Sequence, residues 1–236
     1  MADPRGSIHP TAVIRGDVVM GSGNTVGPFA VITGPVEIGD DNWFGTGAVI
    51  GAPPEVRSWE HPRDAESPSS GGGIRIGSRN VVREYAQVHQ GWHDQTTIGD
   101  DAFIMNQCYV AHDCVLGDGV TLASSVLLAG HVRIGAGANL GLGVSVHQRR
   151  FIGRGAMVGM GAVVTRDLPP WAKAFGNPAR VRGANTVGMQ RSGLPDDLVE
   201  TVAGLYADRF DPARLEELTA EALADAISEW RAATRA

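Results

Sequence analysis

From Ile98 to Val164 an apolar residue occupies every sixth position without a miss: Ile98, Ile104, Val110, Leu116, Leu122, Leu128, Ile134, Leu140, Val146, Ile152, Val158 and Val164. With 43% of the chain hydrophobic, such a run in a fixed register has a chance probability of roughly four in a hundred thousand, so the period belongs to the fold. Neither the helical period nor the two-residue period of a plain strand produces six. The position four after each hit is mostly small or aliphatic, as at Ala102, Cys108, Cys114, Val120 and Ala138. A hexapeptide repeat of this kind specifies a parallel β-helix in which each unit is one short strand and one turn.

The period starts early, at Ile8, Ile14, Met20, Val26, Ile32, Ile38, Phe44 and Ile50. It collapses between Ala52 and Gly73 into Pro, Ser, Gly and charge, resumes at Ile76, Val82 and Val88, and is shifted once more between His89 and Thr97. An insertion of that length in a compact repeat is functional or disordered, and repeat folds carry insertions on one face, often the binding face. After Val164 the breakers Asp-Leu-Pro-Pro-Trp and Gly-Asn-Pro-Ala are expected to close the coil. Helix formers follow, with start signals at Pro195-Asp196-Asp197 and Asp211-Pro212. The division expected is a β-helix over 1–180, with its insertion loop at 52–73, and a small α-helical domain over 181–236.

The 32 glycines and 6% aromatics suit tight turns around a narrow aliphatic core. Cys108 and Cys114, six apart at equivalent repeat positions, are expected as small core fillers. A net charge of −6 excludes the chain as a whole as a nucleic-acid binder. No apolar run approaches a membrane span, and the opening Met-Ala-Asp-Pro-Arg has no signal-peptide core. The expectation is a cytoplasmic protein without stable membrane insertion. Between Arg149 and Arg191 there are eight basic residues against the single acid Asp167. That local excess points to an anionic ligand or partner near the end of the coil, or else to a solvated surface.

Three hexads per turn would stack residues 18 apart in neighbouring coils, about 4.8 Å from one another. His112, Gly130 and Gln148 then share one phase, Asp113, His131 and Arg149 share the next, and His147 sits one position before. The column makes an outward-facing groove lined with imidazoles, suited to proton transfer near neutral pH. Any one of these histidines alone would read as a surface residue. A zinc site like that of the γ-type carbonic anhydrases is the competing chemistry, but those enzymes place two ligands five residues apart, and no His-x4-His occurs here.

The segments IHPTAVI, VAHDC at Val110–Cys114, LAGHV at Leu128–Val132, VHQ at Val146–Gln148 and GNPARVRGANTVGMQRSG at Gly176–Gly193 resemble the acyl-carrier-protein-dependent UDP-N-acetylglucosamine O-acyltransferases of lipid A biosynthesis. IHPTA and GNPA recur widely among hexapeptide acyltransferases; AHDC, AGH and VHQ at these spacings are specific. The resemblance implies a homotrimer of left-handed β-helices with active sites in the clefts between neighbours. Left-handed crossovers run against the usual parallel-strand rule, so the hand rests on the resemblance alone. It also implies that His112 is the general base, that Asp113 orients it, and that the Gly130 N–H holds the oxyanion. His131, His147 and Gln148 would line the acceptor and acyl pocket, and Asn185 and Arg191 would meet the nucleotide. Glu55 and Arg57 stand where an acid and a lysine contact the sugar. Acyl carrier protein, docking on the basic stretch, would supply a phosphopantetheine thioester as co-substrate, with no metal or other cofactor.

Three positions depart from the family pattern. Tyr109 stands where a His often precedes the base, and Val187 where a Glu follows the nucleotide-binding Asn. Met160 replaces a Gly at the floor of the acyl groove and would shorten the acyl chain accepted, unless it is ordinary core filler. Tyr109 and Val187 keep open an acyl or acetyl transfer from coenzyme A to another sugar or small metabolite. A non-catalytic β-helical scaffold is the alternative from a different class.

Overall fold

The computed structural model describes residues 6–61, 63, 71–207, 214–215, 218 and 220–234. Most of the insertion after Ala52 is thus described, whereas the second helix start at Asp211-Pro212 lies outside the described residues. The hexads fold as the period predicts. Short strands of two to four residues form three parallel faces. The first runs from Ser7–Ile8 through Thr25–Val26 and Phe103–Ile104 to Met157–Val158, the second from Val13–Arg15 through Tyr109–Val110 and Leu127–Leu128 to Val163–Val164, and the third from Val18–Met20 through Val115–Leu116 to Phe151–Ile152. The chain visits the faces in that order and climbs one coil per circuit.

Residues 18 apart pair within each face, as in Tyr109 with Leu127 and Leu127 with Ser145. Backbone N–H groups donate to the carbonyl 17 residues on, for example Tyr109 to Val126 and Thr121 to Ala138, both at 2.9 Å. The every-sixth residues point inward, and Ile104, Val110, Leu122, Leu128 and Leu140 are fully buried. Ile8 and Ile14 keep the register but remain exposed at 55% and 36%, because no earlier coil among the described residues covers them. Cys108 and Cys114 are buried, and burial pushes their thiols up to about 11 and about 12. Both stay protonated core residues that donate to carbonyls.

The interruptions are measurable as register. Val81 pairs with Trp43, 38 residues away, and Thr97 with Arg75, 22 away. Against the 18 of an unbroken coil, the two insertions amount to 20 and four residues. Both leave the second face, after Val49–Ala52 and Gln87–His89, and rejoin at the third, at Ile74–Ile76 and Thr96–Ile98. They therefore stack on a single corner.

The first of the breakers after Val164, Asp-Leu-Pro-Pro-Trp, does not end the coil. Leu168 bridges to Ile152, and Ala172–Phe175 adds a further parallel strand beside Met157–Val158. Pro169 and Pro170 occupy the turn between these, where no ladder N–H is needed. Closure comes at the second set, Gly-Asn-Pro-Ala, the turn after which Arg180–Ala184 runs back antiparallel on that strand. Helices α1 (Thr186–Arg191), α2 (Asp196–Ala207) and α3 (Ala224–Thr234) follow. Val199, Val202, Leu205, Ile227 and Trp230 bury their apolar faces against Phe151 and Trp171 of the coil. Among the described residues no helix is long and apolar enough to cross a membrane.

Candidate active site

The corner between the second and third faces carries the column that the 18-residue arithmetic anticipates. His112 and Asp113 occupy its turn in one coil, Gly130 and His131 in the next, and His147, Gln148 and Arg149 in the one after. The ladder continues through the turns: the His131 N–H donates to the His112 carbonyl and the Arg149 N–H to the Gly130 carbonyl, both at 3.0 Å. Asp113, His131 and Arg149 each adopt a left-handed backbone, with φ between 58° and 60°. Such a conformation at a non-glycine residue costs on the order of 1 kcal/mol and persists because the stacked coils over-determine it.

His112 Nδ1 lies 2.6 Å from Asp113 Oδ2, with side-chain exposures of 13% and 1%. Oδ1 of the same carboxylate accepts three consecutive backbone N–H groups, from Trp92 at 3.0 Å, His93 at 2.9 Å and Asp94 at 2.6 Å. Burial works against the Asp113 anion. The His112 hydrogen bond, the Asp94 and His93 amides and the His131 charge outweigh it and hold the carboxyl below its ordinary value. Asp113 is therefore ionised at neutral pH, the shared hydrogen belongs to Nδ1, and the lone pair of a neutral His112 lies on Nε2. Among the described residues Nε2 makes no hydrogen bond.

Gly130 is buried directly beside that ring. A Cβ built on it would lie 2.5 Å from His112 Cε1 and 2.6 Å from Nε2, so only glycine fits. The Gly130 N–H likewise makes no hydrogen bond among the described residues. His131 packs edge-on to His112, centroids 5.1 Å apart, with its Nε2 3.6 Å from Asp113 Oδ2. Burial, partly resisted by Asp113 and reinforced by Arg149, His112 and His93, lowers the His131 pKa, so its ring is neutral at pH 7.

The insertions complete the corner. Tyr109 Oη donates to Glu55 Oε2 at 2.5 Å, and burial together with that bond raises the phenol above its ordinary value, so it stays a donor. His89, whose ring tilts against Tyr109 at 5.0 Å, bonds the Pro53 carbonyl through Nδ1 at 2.7 Å. The start of the first insertion is thus tied to the second face, and Glu55 joins the corner through the residue that departs from the family pattern. From the second insertion, Trp92 meets His112 edge-on at 6.0 Å, and His93 stacks near His131 at 6.3 Å. Sequence reasoning missed Trp92 and His93; the aromatic and imidazole content of the shift between His89 and Thr97 was the available signal.

The remaining expected site residues stand apart from the dyad within one chain. His147 and Gln148 are exposed one coil above Gly130, and Arg57 is exposed in the first insertion. Asn185 caps α1, accepting from the Gly188 N–H at 3.1 Å and donating to the Gly155 carbonyl at 2.9 Å, while Arg191 is exposed in the last turn of that helix. Met160 is 73% exposed on the opposite corner, between the first and second faces, and is not core filler. His112, Asp113 and His131 also offer ligand atoms within 4.8 Å of one another. The 2.6 Å separation of His112 Nδ1 and Asp113 Oδ2 is a hydrogen-bond length. Two donors at 2.0–2.2 Å around tetrahedral zinc sit about 3.3 Å apart, so His112 Nδ1 and Asp113 Oδ2 as arranged do not fit a shared zinc ion.

Comparison with known proteins identifies the family. Residues 95–130 match the bacterial transferase hexapeptide (six repeats) family, and residues 167–234 match "Udp N-acetylglucosamine O-acyltransferase; Domain 2". Acyl-[acyl-carrier-protein]–UDP-N-acetylglucosamine O-acyltransferases are similar over long stretches. The one from Stutzerimonas stutzeri is 33% identical over 99% of this chain and 92% of its own length, and that from Pseudomonas fluorescens Pf-5 is 32% identical over 87% and 83%. The Paracidovorax citrulli relative is 39% identical over 72% of this chain, a match that spans 65% of its own length. The solved UDP-N-acetylglucosamine acyltransferase of Campylobacter jejuni superposes with a TM-score of 0.77 at 27% identity, over 94% of this chain and 95% of that one. Coil, corner and relatives converge: the chain belongs to the acyl-[acyl-carrier-protein]–UDP-N-acetylglucosamine O-acyltransferase family.

Proposed function

We propose that the protein moves an acyl group from an acyl-carrier-protein thioester to the 3-hydroxyl of UDP-N-acetylglucosamine. The observation that carries this activity is an imidazole nitrogen on an anchored dyad beside a glycine amide one coil away, neither with a hydrogen-bond partner among the described residues. His112 Nε2 takes the proton of the sugar hydroxyl as its oxygen attacks the thioester carbonyl. The Gly130 N–H receives the developing oxyanion. Collapse of the tetrahedral intermediate expels the phosphopantetheine thiolate, which recovers a proton from the His112 imidazolium. A positioned base and one oxyanion donor each contribute on the order of 10²–10³ in rate. No metal or other cofactor takes part.

His131, His147 and Gln148 line the acceptor and acyl pocket, Glu55 and Arg57 approach the sugar from the insertion, and Arg191 meets the nucleotide phosphates. Asn185, already engaged as a helix cap, reaches the nucleotide with its remaining acceptor capacity. The coil is left-handed, as the family resemblance implies, and residues 181–236 form the appended helical domain. The functional unit is a cytoplasmic homotrimer. Phe29, Tyr85, Leu142 and Met160, exposed on the corner opposite the dyad, support that assembly as its covered apolar surface. Met160 sits on the far edge of the second face from His112, so it limits acyl length only where a neighbouring copy brings the two corners together. The basic excess between Arg149 and Arg191 suits docking of an acidic carrier protein.

Mass spectrometry after incubation with a panel of acyl-carrier-protein thioesters and UDP-N-acetylglucosamine tests this activity. The expected result is a mono-acylated nucleotide sugar that disappears in His112→Ala, with shorter chains preferred and longer ones admitted by Met160→Gly. No product from any chain length, or product from acyl-coenzyme A only, would overturn the assignment.

A further inference from the structure

We propose that the four-residue insertion of the second interruption is a positioning element for the catalytic pair, in which the amides of Trp92, His93 and Asp94 lock Asp113 and thereby aim His112. The inference deepens the acyl-transfer activity and rests on it. Three consecutive N–H groups converging on one carboxylate oxygen form an anion nest, a concavity of backbone donors with no side-chain entropy to lose. Their aim at Oδ1 leaves Oδ2 a single orientation, toward His112 Nδ1. The fourth constraint comes from the same segment: Thr96 Oγ1 accepts the Asp113 N–H at 2.9 Å. A seam of glycines holds the turn in place. Gly91 exchanges hydrogen bonds with Gly72 and Gly73 of the first insertion, its carbonyl accepting at 2.7 Å and its N–H donating at 3.1 Å. A Cβ on Gly91 would fall 1.5 Å from the Asp94 carbonyl oxygen, and one on Gly72 would fall 2.8 Å from the same atom. An uninterrupted hexad has no residues at that level to supply the three amides, which gives the insertion its place beside the dyad. Trp92, His93 and Asp94 serve here through their backbones; they are positioning residues and not catalytic ones.

Gly91→Ala forces the turn away from Asp113 while every catalytic side chain is kept. A misplacement of about 1 Å costs on the order of 10² in rate, so kcat falls about a hundredfold with KM for the nucleotide sugar within about threefold. Proton NMR of the unliganded protein gives a readout independent of turnover. The hydrogen-bonded His112 Nδ1–H resonance, assigned by its loss in His112→Ala, is expected far downfield in the wild type and missing or shifted in Gly91→Ala. If Gly91→Ala does not fold, hydrogen exchange decides: the amides of 92–94 are expected to be protected in the wild type and to exchange at least about tenfold faster in Asp113→Ala. An unmoved resonance with unchanged kcat in Gly91→Ala, or amides equally fast in wild type and Asp113→Ala, would overturn the inference. Failure of the wild type to transfer any acyl group would overturn the proposed activity instead, since the resonance and the exchange rates are read without substrate.

Discussion

Two corners of the same coil are built from the same repeat and put to opposite uses. At the corner between the third and first faces, buried Asn24, Asn42 and Asn80 form a ladder. Asn24 Oδ1 accepts the Asn42 N–H and Nδ2–H, and Asn42 Oδ1 accepts the Asn80 N–H. Above them Ala102, Val120, Ala138 and Ala156 fill the same column. Outside it, Asp100 and Asp118 accept the amides of the coils below, from Ser78 and Asp100, at 2.8 Å each. Among the described residues the side-chain polar groups of this ladder are partnered within the repeat, Asn80 Nδ2 excepted. At the corner between the second and third faces the repeat is broken twice, and His112 Nε2 and the Gly130 N–H have no hydrogen-bond partners among the described residues. A solenoid is held by what repeats. It acts where repetition stops, because there hydrogen-bonding groups are left for a substrate.

The comparison can be broken most forcefully at Gly130. Gly130→Ala keeps the backbone N–H but drives a methyl against the His112 ring, and kcat is expected to fall on the order of 10²-fold, the usual loss for a reacting group misplaced by about 1 Å, with the unfolding midpoint within about 2 °C of wild type. Steady-state kinetics beside a thermal melt would expose an error if activity and stability fell together. Asn42→Ala should do the converse at the other corner. It strands the Asn80 N–H and the Gly77 carbonyl bond in the core, at a cost of about 2 kcal/mol or more. Calorimetry should show Tm lower by roughly 4–8 °C, while kcat at 25 °C stays within about twofold. A smaller effect is expected at Tyr109, which borders the functional corner. Tyr109→Phe frees Glu55 without touching the dyad, so KM for the nucleotide sugar should rise several-fold at nearly constant kcat, about 1 kcal/mol for one hydrogen bond.

The smallest effect concerns pH. Because the folded-state Asp113 pKa is depressed, its contribution to stability is complete above the ordinary carboxylate value of 3.8 and is lost only as pH falls through the lower folded value. Between about pH 5 and 8 the ionisation of Asp113 itself therefore adds no slope to stability. Asp113 also supports the protonated form of His131, so the melting advantage of the wild type over Asp113→Asn should widen as pH falls from about 8 toward 5, and an advantage that shrinks across that range would contradict the assignment.

The amino-acid sequence by itself determined the solenoid. A six-residue period admits one inward residue per strand, and with the three hexads per circuit that this repeat class implies, the column of His112, Gly130 and Gln148 was legible as arithmetic. Its limits were equally physical. Both sets of breakers after Val164 read as an ending, yet Pro169 and Pro170 sit in a turn where they cost no ladder bond, and the coil goes on through Ala172–Phe175 before Gly-Asn-Pro-Ala turns it back. Register counting yields which residues share a corner; it cannot yield where an insertion folds back. Only the tertiary structure decided that two interruptions 20 and four residues long meet on one corner, that Trp92–Asp94 hold Asp113, and that Tyr109 holds Glu55. Those contacts depend on backbone amides and loop paths that carry no periodic signal, and such groups find each other only when the coils beneath them have stacked.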